Sequence, residues 1–141
     1  MQAYGYPVRF EPNGEGGLCG TFRDVPEALT EVWPGENKKE IALDALITAI
    51  DFYIEDQRVF PKPSKPLHGE ELVELPPSIV SKVLLLNLMV EKNIRPADLA
   101  RKMGIKPQQV TRILDLRHNT KIDTVSDAIS ALGKKLSFEL I

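Results

Sequence analysis

The side chains best suited to recognising a DNA sequence are concentrated between Gly104 and Ile122. Pro107 is expected to begin a short helix there. Its apolar residues Val110, Ile113 and Leu114 would turn inward. Four polar residues would then lie exposed near the start of the helix: Gln108, Gln109, Thr111 and Arg112. Because glutamine can pair with adenine and arginine with guanine, each at about 1–3 kcal/mol of discrimination, this pattern predicts a recognition helix for the major groove.

Polar and basic residues flank the predicted recognition helix on both sides. The flanking residues are Lys106, Arg117, His118, Asn119, Thr120 and Lys121. They could contact phosphates, which would fix the register of the protein on DNA but not the sequence it selects. For His118, the interpretation as an ordinary exposed loop histidine is slightly favoured over a base contact.

The recognition helix would be the second helix of a bihelical unit that begins at Pro96. Apolar residues fall where a helix-turn-helix buries its side chains: Leu99, Met103, Ile105, Val110 and Ile113. Ala100 allows close approach of the second helix, and Gly104 lies at the turn, where a left-handed backbone favours glycine. The pattern predicts a DNA-binding helix-turn-helix. A purely structural helical pair is the alternative.

Acidic residues line one face of a second predicted helix, Lys38 to Ile54: Glu40, Asp44, Asp51 and Glu55. A solvated surface is the commonest explanation of such a face. A docking surface for a basic protein is another, because opposite charge steers association. Together with Asp24 and Asp56 the face could also suggest a two-metal nuclease, which needs converging carboxylates. Trp33, just before this helix, is either an aromatic anchor for a partner or a core residue.

The composition narrows the possible classes of protein. The chain has 141 residues, of which 43% are hydrophobic and 27% charged, as in ordinary globular proteins. One cysteine and two scattered histidines lack metal-site spacing, and no nucleophile–base pair or phosphate-binding glycine loop is visible. No secretion signal or bilayer-length apolar run is seen. We therefore expect a cytoplasmic, non-enzymatic protein without metal, cofactor or membrane partner.

The charge is divided unevenly along the chain. Residues 1–75 carry seven Lys and Arg against fourteen Asp and Glu, a net charge of −7. Residues 76–141 carry eleven against six, a net charge of +5. This asymmetry suggests an acidic module for a basic partner and a basic module for nucleic acid, although chance variation of solvated faces is the alternative.

The pattern of elements predicts an α+β protein with two domains, residues 1–75 and 76–141. The first is expected to hold a small antiparallel sheet and one long helix, in the order strand, strand, strand, helix, strand. Its helix would carry Leu43, Leu46, Ile47, Ile50 and Ile54 on one apolar face. The second domain is expected to be helical, with a first helix from Ser78 to Asn93.

The end of the chain is expected to mediate dimerisation. Thr120 resembles the N-cap of a further helix that ends near Gly133. The following "LSFEL", Leu136 to Leu140, alternates like a strand. Because a lone strand leaves its edge unpaired, we expect it to pair with the same strand of a second copy. The resulting homodimer, or a higher homo-oligomer, would bind a palindromic site.

The chain resembles the HicB antitoxin family, in the subgroup with a C-terminal helix-turn-helix. The resemblance is carried by "YPVRF", "DVPEALT", "ALDALITAIDFYIED", "VELPPSIVSKVLLLN" and "HNTKID". It implies that the first domain has a partial ribonuclease-H-like fold without nuclease activity and sequesters HicA, a small basic toxin that cleaves messenger RNA. It also implies that the second domain binds the operator of its own operon.

The resemblance does not transfer residue by residue to the toxin surface, because "TEVWPGENKKE" lies where family members vary. Trp33, Glu40, Asp44, Asp51 and Glu55 are therefore toxin-binding candidates from charge and exposure alone. A stand-alone repressor with a ligand-binding first domain is the main alternative, and an active nuclease is a further one.

Overall fold

The computed structural model describes residues 4–141, in which it has four strands and five helices. In chain order these are β1 (Gly5–Pro12), β2 (Leu18–Phe22), β3 (Leu29–Val32), α1 (Lys38–Asp56), β4 (Glu71–Glu74), α2 (Pro77–Glu91), α3 (Pro96–Met103), α4 (Pro107–Leu114) and α5 (Ile122–Ala131). The element order and the α+β class are as predicted. The first three residues of the predicted first domain lie outside the described residues.

The described chain divides into two compact units. The sheet unit comprises residues 4–50 and 61–75, and the helical unit comprises residues 51–60 and 76–141. Helix α1 contributes residues to both, because residues 38–50 group with the sheet and residues 51–56 with the helices. None of the helices within residues 4–141 has the length and apolarity needed to cross a membrane.

The sheet unit is built on a four-stranded antiparallel sheet in the order β3-β2-β1-β4. Asn13 and two glycines shape the turn between β1 and β2. The Asn13 side-chain oxygen accepts hydrogen bonds from the backbone N–H groups of Glu15 and Gly17, at 2.8 and 3.0 Å. Gly14 has a φ of +82° and Gly16 a φ of +91°, which glycine adopts without the steric penalty of a Cβ.

One face of the sheet is apolar and buried. Val8 pairs with Phe22 and Tyr6 with Val73, so all four side chains point to the same side, where each is at most 3% exposed. Helix α1 begins on this side, because Lys38 Nζ lies 2.6 Å from a Glu71 carboxylate oxygen. Glu71 pairs with Val8 and shares its face.

The buried stripe of α1 differs from the predicted one. Leu46 and Ile50 are fully buried as expected, but Leu43, Ile47 and Ile54 are only half-buried. The remaining buried positions are Ala42, Ala49 and Tyr53. The prediction gave weight to the large aliphatic residues, whereas the covered stripe of this helix passes through two alanines. The face predicted for α1 is therefore fully buried at two of its five positions and half-buried at the other three, of which Ile54 packs against the core of the helical unit.

The proline-rich segment before β4 is held on the sheet unit by polar contacts. The Asp24 carboxylate accepts hydrogen bonds from the Ser64 N–H at 2.8 Å and the Ser64 hydroxyl at 2.6 Å. The Glu70 carboxylate accepts one from the Leu67 N–H at 2.7 Å and pairs with Arg23 at 3.0 Å. The Leu67 N–H bond, and then the Arg23 bond and charge, lower the pKa of Glu70.

The helical unit has one core to which four of its helices contribute. Its buried members are Leu85, Leu88, Met89, Leu99, Ala100, Val110, Ile113, Leu114, Val125, Ala128, Ile129 and Leu132. Helix α2 is two residues shorter at its C-terminal end than predicted, and it begins one residue earlier. Because its apolar residues surround much of its circumference, it lies well inside the unit, as its sequence indicated.

The C-terminal part differs from the sequence-based expectation at the start of α5, and its last residues are exposed. The N-cap of α5 is Lys121, without a side-chain cap, so the prediction of Thr120 as a capping residue was wrong. The Thr120 hydroxyl is engaged elsewhere, as described below. Residues 134–141 form no strand in the single chain, and Phe138, Leu140 and Ile141 are 78–101% exposed. Pairing of this tail with a second copy stays a prediction.

Candidate functional site

Helices α3 and α4 form a helix-turn-helix in the predicted register. Leu99, Val110 and Ile113 are at most 4% exposed, and Ala100 is 2% exposed. Gly104 ends α3 in the left-handed conformation, with φ +69° and ψ +33°. Since this conformation carries a steric cost for residues with a Cβ, the glycine permits the sharp turn that brings α4 across α3.

The four predicted base-reading residues are all exposed on α4, but two of them have local roles. The Gln109 side-chain oxygen accepts the Lys106 backbone N–H at 2.9 Å, which caps the start of the helix. The Thr111 hydroxyl donates to the Pro107 carbonyl at 3.3 Å. Gln108 and Arg112 make no side-chain hydrogen bond within residues 4–141 and are the residues best placed to contact base edges.

The loop that joins α4 to α5, residues 115–121, carries the other predicted DNA-binding residues except Lys106. We call it the α4–α5 loop. Arg117, His118, Asn119 and Lys121 are exposed, whereas Thr120 is half-buried. The His118 Nδ1 lies 2.9 Å from the Thr120 hydroxyl. His118 is exposed in the loop, so both interpretations of this histidine stay predictions.

A buried lysine from α2 holds the α4–α5 loop from inside. Lys82 is 1% exposed, and its Nζ donates to the Asp115 carbonyl at 2.5 Å and the His118 carbonyl at 2.7 Å. It also donates to the Thr120 hydroxyl at 3.0 Å. Burial lowers the pKa of Lys82, and the negative charge of Asp115 partly offsets this effect. Three oxygen acceptors thus meet the three donors of one ammonium group.

Arg117 of the same loop bonds to an acidic residue of α1. Its Nη1 lies 2.5 Å from Asp51 Oδ2, and the two side chains are 58% and 34% exposed. Both residues belong to the helical unit. The sequence had suggested DNA for Arg117 and a protein partner for Asp51. The structure joins the two candidates to each other.

An open groove of about 850 Å³ lies beside α4 and the α4–α5 loop. Six of the ten predicted DNA-binding residues line it: Gln109, Arg112, His118, Asn119, Thr120 and Lys121. Its apolar lining includes Met103, Ile105 and Ile113. The groove gathers polar and cationic side chains of α4 and the α4–α5 loop, which could contact phosphates, and Thr124, Asp127 and Ser130 of α5 also line it.

The five predicted toxin-binding residues do not fall in one unit. Trp33, Glu40 and Asp44 belong to the sheet unit, whereas Asp51 and Glu55 belong to the helical unit. Glu40, Asp44 and Glu55 are exposed, and Trp33 is 40% exposed. The Trp33 ring lies against Gly17, where an added Cβ would be 2.8 Å from the ring. Trp33 is therefore not a core residue but a partly covered surface residue.

Three of the six carboxylates that raised the nuclease alternative are engaged by other residues. Asp24 binds Ser64, Asp51 binds Arg117, and Asp56 lies 3.4 Å from Arg58. Across the described residues, no group of three or more His, Cys, Asp or Glu side chains could hold a metal ion.

Lys82 was not among the residues predicted from the sequence, although the sequence carries one signal for it. It is a single cation in the apolar stretch from Ile79 to Leu86, where a charge must find partners if it is buried. The bond between Asp51 and Arg117 had no such signal, because the two residues are 66 positions apart.

Comparison with known proteins identifies the two parts of the chain. Residues 85–132 match the family model of the Cro/C1-type HTH DNA-binding domain. Helix α4, with its buried apolar side and its exposed polar side, is thus part of a DNA-binding helix-turn-helix domain. Residues 5–84 match the family model described as HicB-like antitoxin of bacterial toxin-antitoxin system.

Curated relatives resemble the chain over nearly its whole length. "Antitoxin HicB 1" of Photorhabdus laumondii is 49% identical over 135 residues, which cover 96% of this chain and 86% of the relative. "Antitoxin HicB" of Escherichia coli K12 is 45% identical over 136 residues, 96% of this chain and 99% of the relative. "Antitoxin HicB" of Pseudomonas fluorescens is 30% identical over 137 residues, 96% and 92% of the two chains. The chain belongs to the HicB-like antitoxin family and is an antitoxin with a DNA-binding helix-turn-helix.

Proposed function

We propose that this antitoxin neutralises a small basic, HicA-like toxin that cleaves messenger RNA, and that it represses its own operon by binding the operator. Residues 1–75 would bind the toxin and residues 76–141 the DNA. The proposal is supported by the net charges of −7 and +5 on these two segments. A basic toxin and the DNA phosphates are each attracted by the segment of opposite charge.

The observation that carries DNA recognition is the exposed face of α4. Gln108 and Arg112 have donors free for base edges, while Gln109 and Thr111 stabilise the helix that presents them. Lys106, Asn119 and Lys121 are exposed on either side of the helix and would contact phosphates. This division between base readout and phosphate contacts is typical of helix-turn-helix proteins.

The test of DNA recognition compares Arg112→Ala with Lys92→Ala in the full-length protein. Both changes remove one positive charge, but Lys92 ends α2 and lies outside the proposed interface. Binding to a duplex from the upstream region of its own gene and to a scrambled duplex is measured. Loss of a bidentate arginine–guanine contact should reduce the ratio of the two affinities by about 5- to 150-fold. An unchanged ratio in Arg112→Ala would exclude Arg112 as a base-reading residue.

The C-terminal tail is proposed to make the repressor a dimer. Its exposed Phe138, Leu140 and Ile141 form an apolar end that a second copy would cover by pairing the Leu136–Leu140 segments. Two recognition helices would then reach half-sites about 34 Å apart, one helical turn of DNA. A chain ending at Gly133 should sediment as a monomer and bind the palindrome more weakly. A truncated chain that stays dimeric would assign dimerisation to another surface.

Toxin binding is proposed to use the exposed acidic start of α1 together with Trp33. Glu40 and Asp44 are exposed on α1, and Trp33 precedes that helix. The partial ribonuclease-H-like fold expected from the family would present these residues while lacking the metal-binding carboxylates of an active nuclease. An acidic surface with a partly exposed aromatic residue suits a basic protein partner.

The toxin test uses the tagged full-length chain as bait in lysate of its native host. A small basic protein that co-purifies stoichiometrically, and whose RNase activity the antitoxin suppresses, is the expected result. Because Trp33 is the only tryptophan of the chain, its fluorescence should change when a tryptophan-free form of the toxin binds. If no protein partner is recovered while operator binding persists, the chain is a repressor that responds to another ligand.

A further inference from the structure

Lys82 has no part in the proposed function. Among the charged residues within residues 4–141 it is the most deeply buried, with 1% exposure. It lies in α2, a helix outside the helix-turn-helix pair, whose other buried residues include Leu85 and Leu86. A buried ammonium group is retained only where oxygen atoms replace its water shell. Every oxygen that surrounds Nζ here comes from the α4–α5 loop.

The three bonds reach across the loop from its first residue to its sixth. Asp115 accepts at 2.5 Å, His118 at 2.7 Å and Thr120 at 3.0 Å. The Asp115 and His118 acceptors are backbone carbonyls, so Lys82 fixes the orientation of two peptide groups rather than one mobile side chain. The His118 backbone N–H also donates to the Asp115 carbonyl at 3.1 Å, which closes the turn around the same point.

The fixed carbonyls face inward, and the loop side chains proposed to contact phosphates are exposed. Arg117 and Asn119 flank His118, and Lys121 follows Thr120 directly. A loop held at residues 115, 118 and 120 therefore presents residues 117, 119 and 121 in a set order. Phosphate contacts fix the register of a protein on DNA only if their donors are themselves held in place.

We propose that Lys82 is a positioning residue for DNA binding, which fixes the α4–α5 loop so that Arg117, Asn119 and Lys121 meet the phosphate backbone together. Lys82 does not touch DNA in this arrangement. The inference rests on the proposed DNA interface and adds a residue from outside the helix-turn-helix to it. Gln108 and Arg112 lie on α4 itself, which Lys82 meets only at the carbonyl of its C-cap residue, Asp115. Base readout should therefore depend on this lysine less than the phosphate contacts do.

The experiment compares Lys82→Met with Lys92→Met in the full-length protein. Methionine has a similar length and fills the buried site without donors. Lys92 is exposed at the end of the same helix, so its replacement removes the same charge without affecting the loop. Affinity is measured against salt concentration for the upstream duplex and for a scrambled duplex of equal length.

The salt dependence separates a positioning role from a merely structural one. Each lost phosphate contact reduces the slope of log affinity against log salt by about 0.9. Lys82→Met should reduce the slope by roughly 1 to 2, with the ratio of upstream to scrambled affinity at matched salt nearly unchanged. Lys92→Met should keep the full slope. A protein that is only less stable would lose active fraction but retain the slope, and that result would overturn the proposal.

A second variant covers the case in which Lys82→Met does not fold. Thr120→Val removes one acceptor and leaves two for the ammonium group. Hydrogen exchange at the amides of residues 116–120 should then become faster, whereas exchange in α5 should not change. Unchanged loop exchange together with an unchanged salt slope would overturn the inference. If the wild-type protein binds neither duplex, the proposed function itself fails, which is a distinct outcome.

Discussion

Replacement of Asp51 by asparagine should strengthen DNA binding, although Asp51 is not proposed to touch DNA. Arg117 Nη1 is 2.5 Å from the Asp51 carboxylate. An Arg117 side chain that contacts a phosphate must give up this bond or share it. The Asp51 carboxylate therefore competes with DNA for the same guanidinium group.

The size of the effect follows from the exposure of the pair. The side chains of Arg117 and Asp51 are 58% and 34% exposed, so water screens most of their attraction. Exposed ion pairs contribute about 0.2–1 kcal/mol. Removing that competition should raise DNA affinity by about 1.4- to 5-fold. Loss of the general repulsion between one carboxylate and the phosphates adds to this effect and fades as salt is increased.

The assay is the anisotropy of a labelled duplex titrated with full-length protein at low and at physiological salt. Asp51→Asn is compared with Asp44→Asn, which removes the same charge from the same helix at an exposed position. The comparison is repeated in an Arg117→Gln background, where the specific part of the gain should vanish. If Asp51→Asn and Asp44→Asn have equal effects in both backgrounds, Arg117 does not exchange Asp51 for a phosphate and the reasoning fails.

The same competition predicts how a toxin would influence DNA binding. A basic toxin that engages Asp51 would take over the carboxylate and remove its bond to Arg117, which makes the guanidinium group more available to a phosphate. Toxin should then raise DNA affinity by a factor of the same size, and DNA should raise toxin affinity equally, because linkage is reciprocal. Asp51→Asn should abolish this coupling while the toxin still binds. Coupling that persists in the variant would have a different origin.

Three further predictions concern stability and the sheet unit. Glu70 has a pKa lowered from 4.5 in the folded protein, so its contribution to the free energy of unfolding is present above pH 4.5. That contribution is lost as the pH falls towards the pKa of the folded state. In urea denaturation, the loss of stability caused by Glu70→Gln should therefore become smaller in acid. An alanine at Gly17 would place its Cβ 2.7 Å from the Val32 carbonyl oxygen and 2.8 Å from the Trp33 ring, so β3 must shift. We therefore expect a less stable sheet unit, a shifted tryptophan emission and weaker toxin binding, with unchanged operator affinity. Leu99 is fully buried, so Leu99→Ala should lower the free energy of unfolding by about 2–5 kcal/mol, compared with a small effect of Ile122→Ala at a 41% exposed position.

The helix-turn-helix could be predicted because its signals are local. The buried positions of α3 and α4 recur at helical spacing, and Gly104 occupies the one position that needs a left-handed backbone. Short helices joined by a tight turn leave few alternative arrangements for such a pattern. The buried side of α1 was harder to predict from the sequence, because large aliphatic residues occur on more than one side of this helix. Which side is buried depends on the sheet, and alanines such as Ala42 give no hydrophobic signal strong enough to show this.

The contacts that organise the site could not be predicted, because they join residues far apart in sequence. Lys82 lies 33 positions from Asp115, and Asp51 lies 66 positions from Arg117. The two contacts differ in burial, and that difference sets their roles. The Lys82 bonds are buried and replace a water shell. Because breaking them would leave polar groups unpaired, the bonds persist and the loop keeps its shape. The Asp51 bond is exposed and weak, so a phosphate can replace it. The α4–α5 loop is thus fixed in its backbone and adjustable in its one arginine, a combination suited to a surface that must meet DNA in a set register and also respond to a second partner.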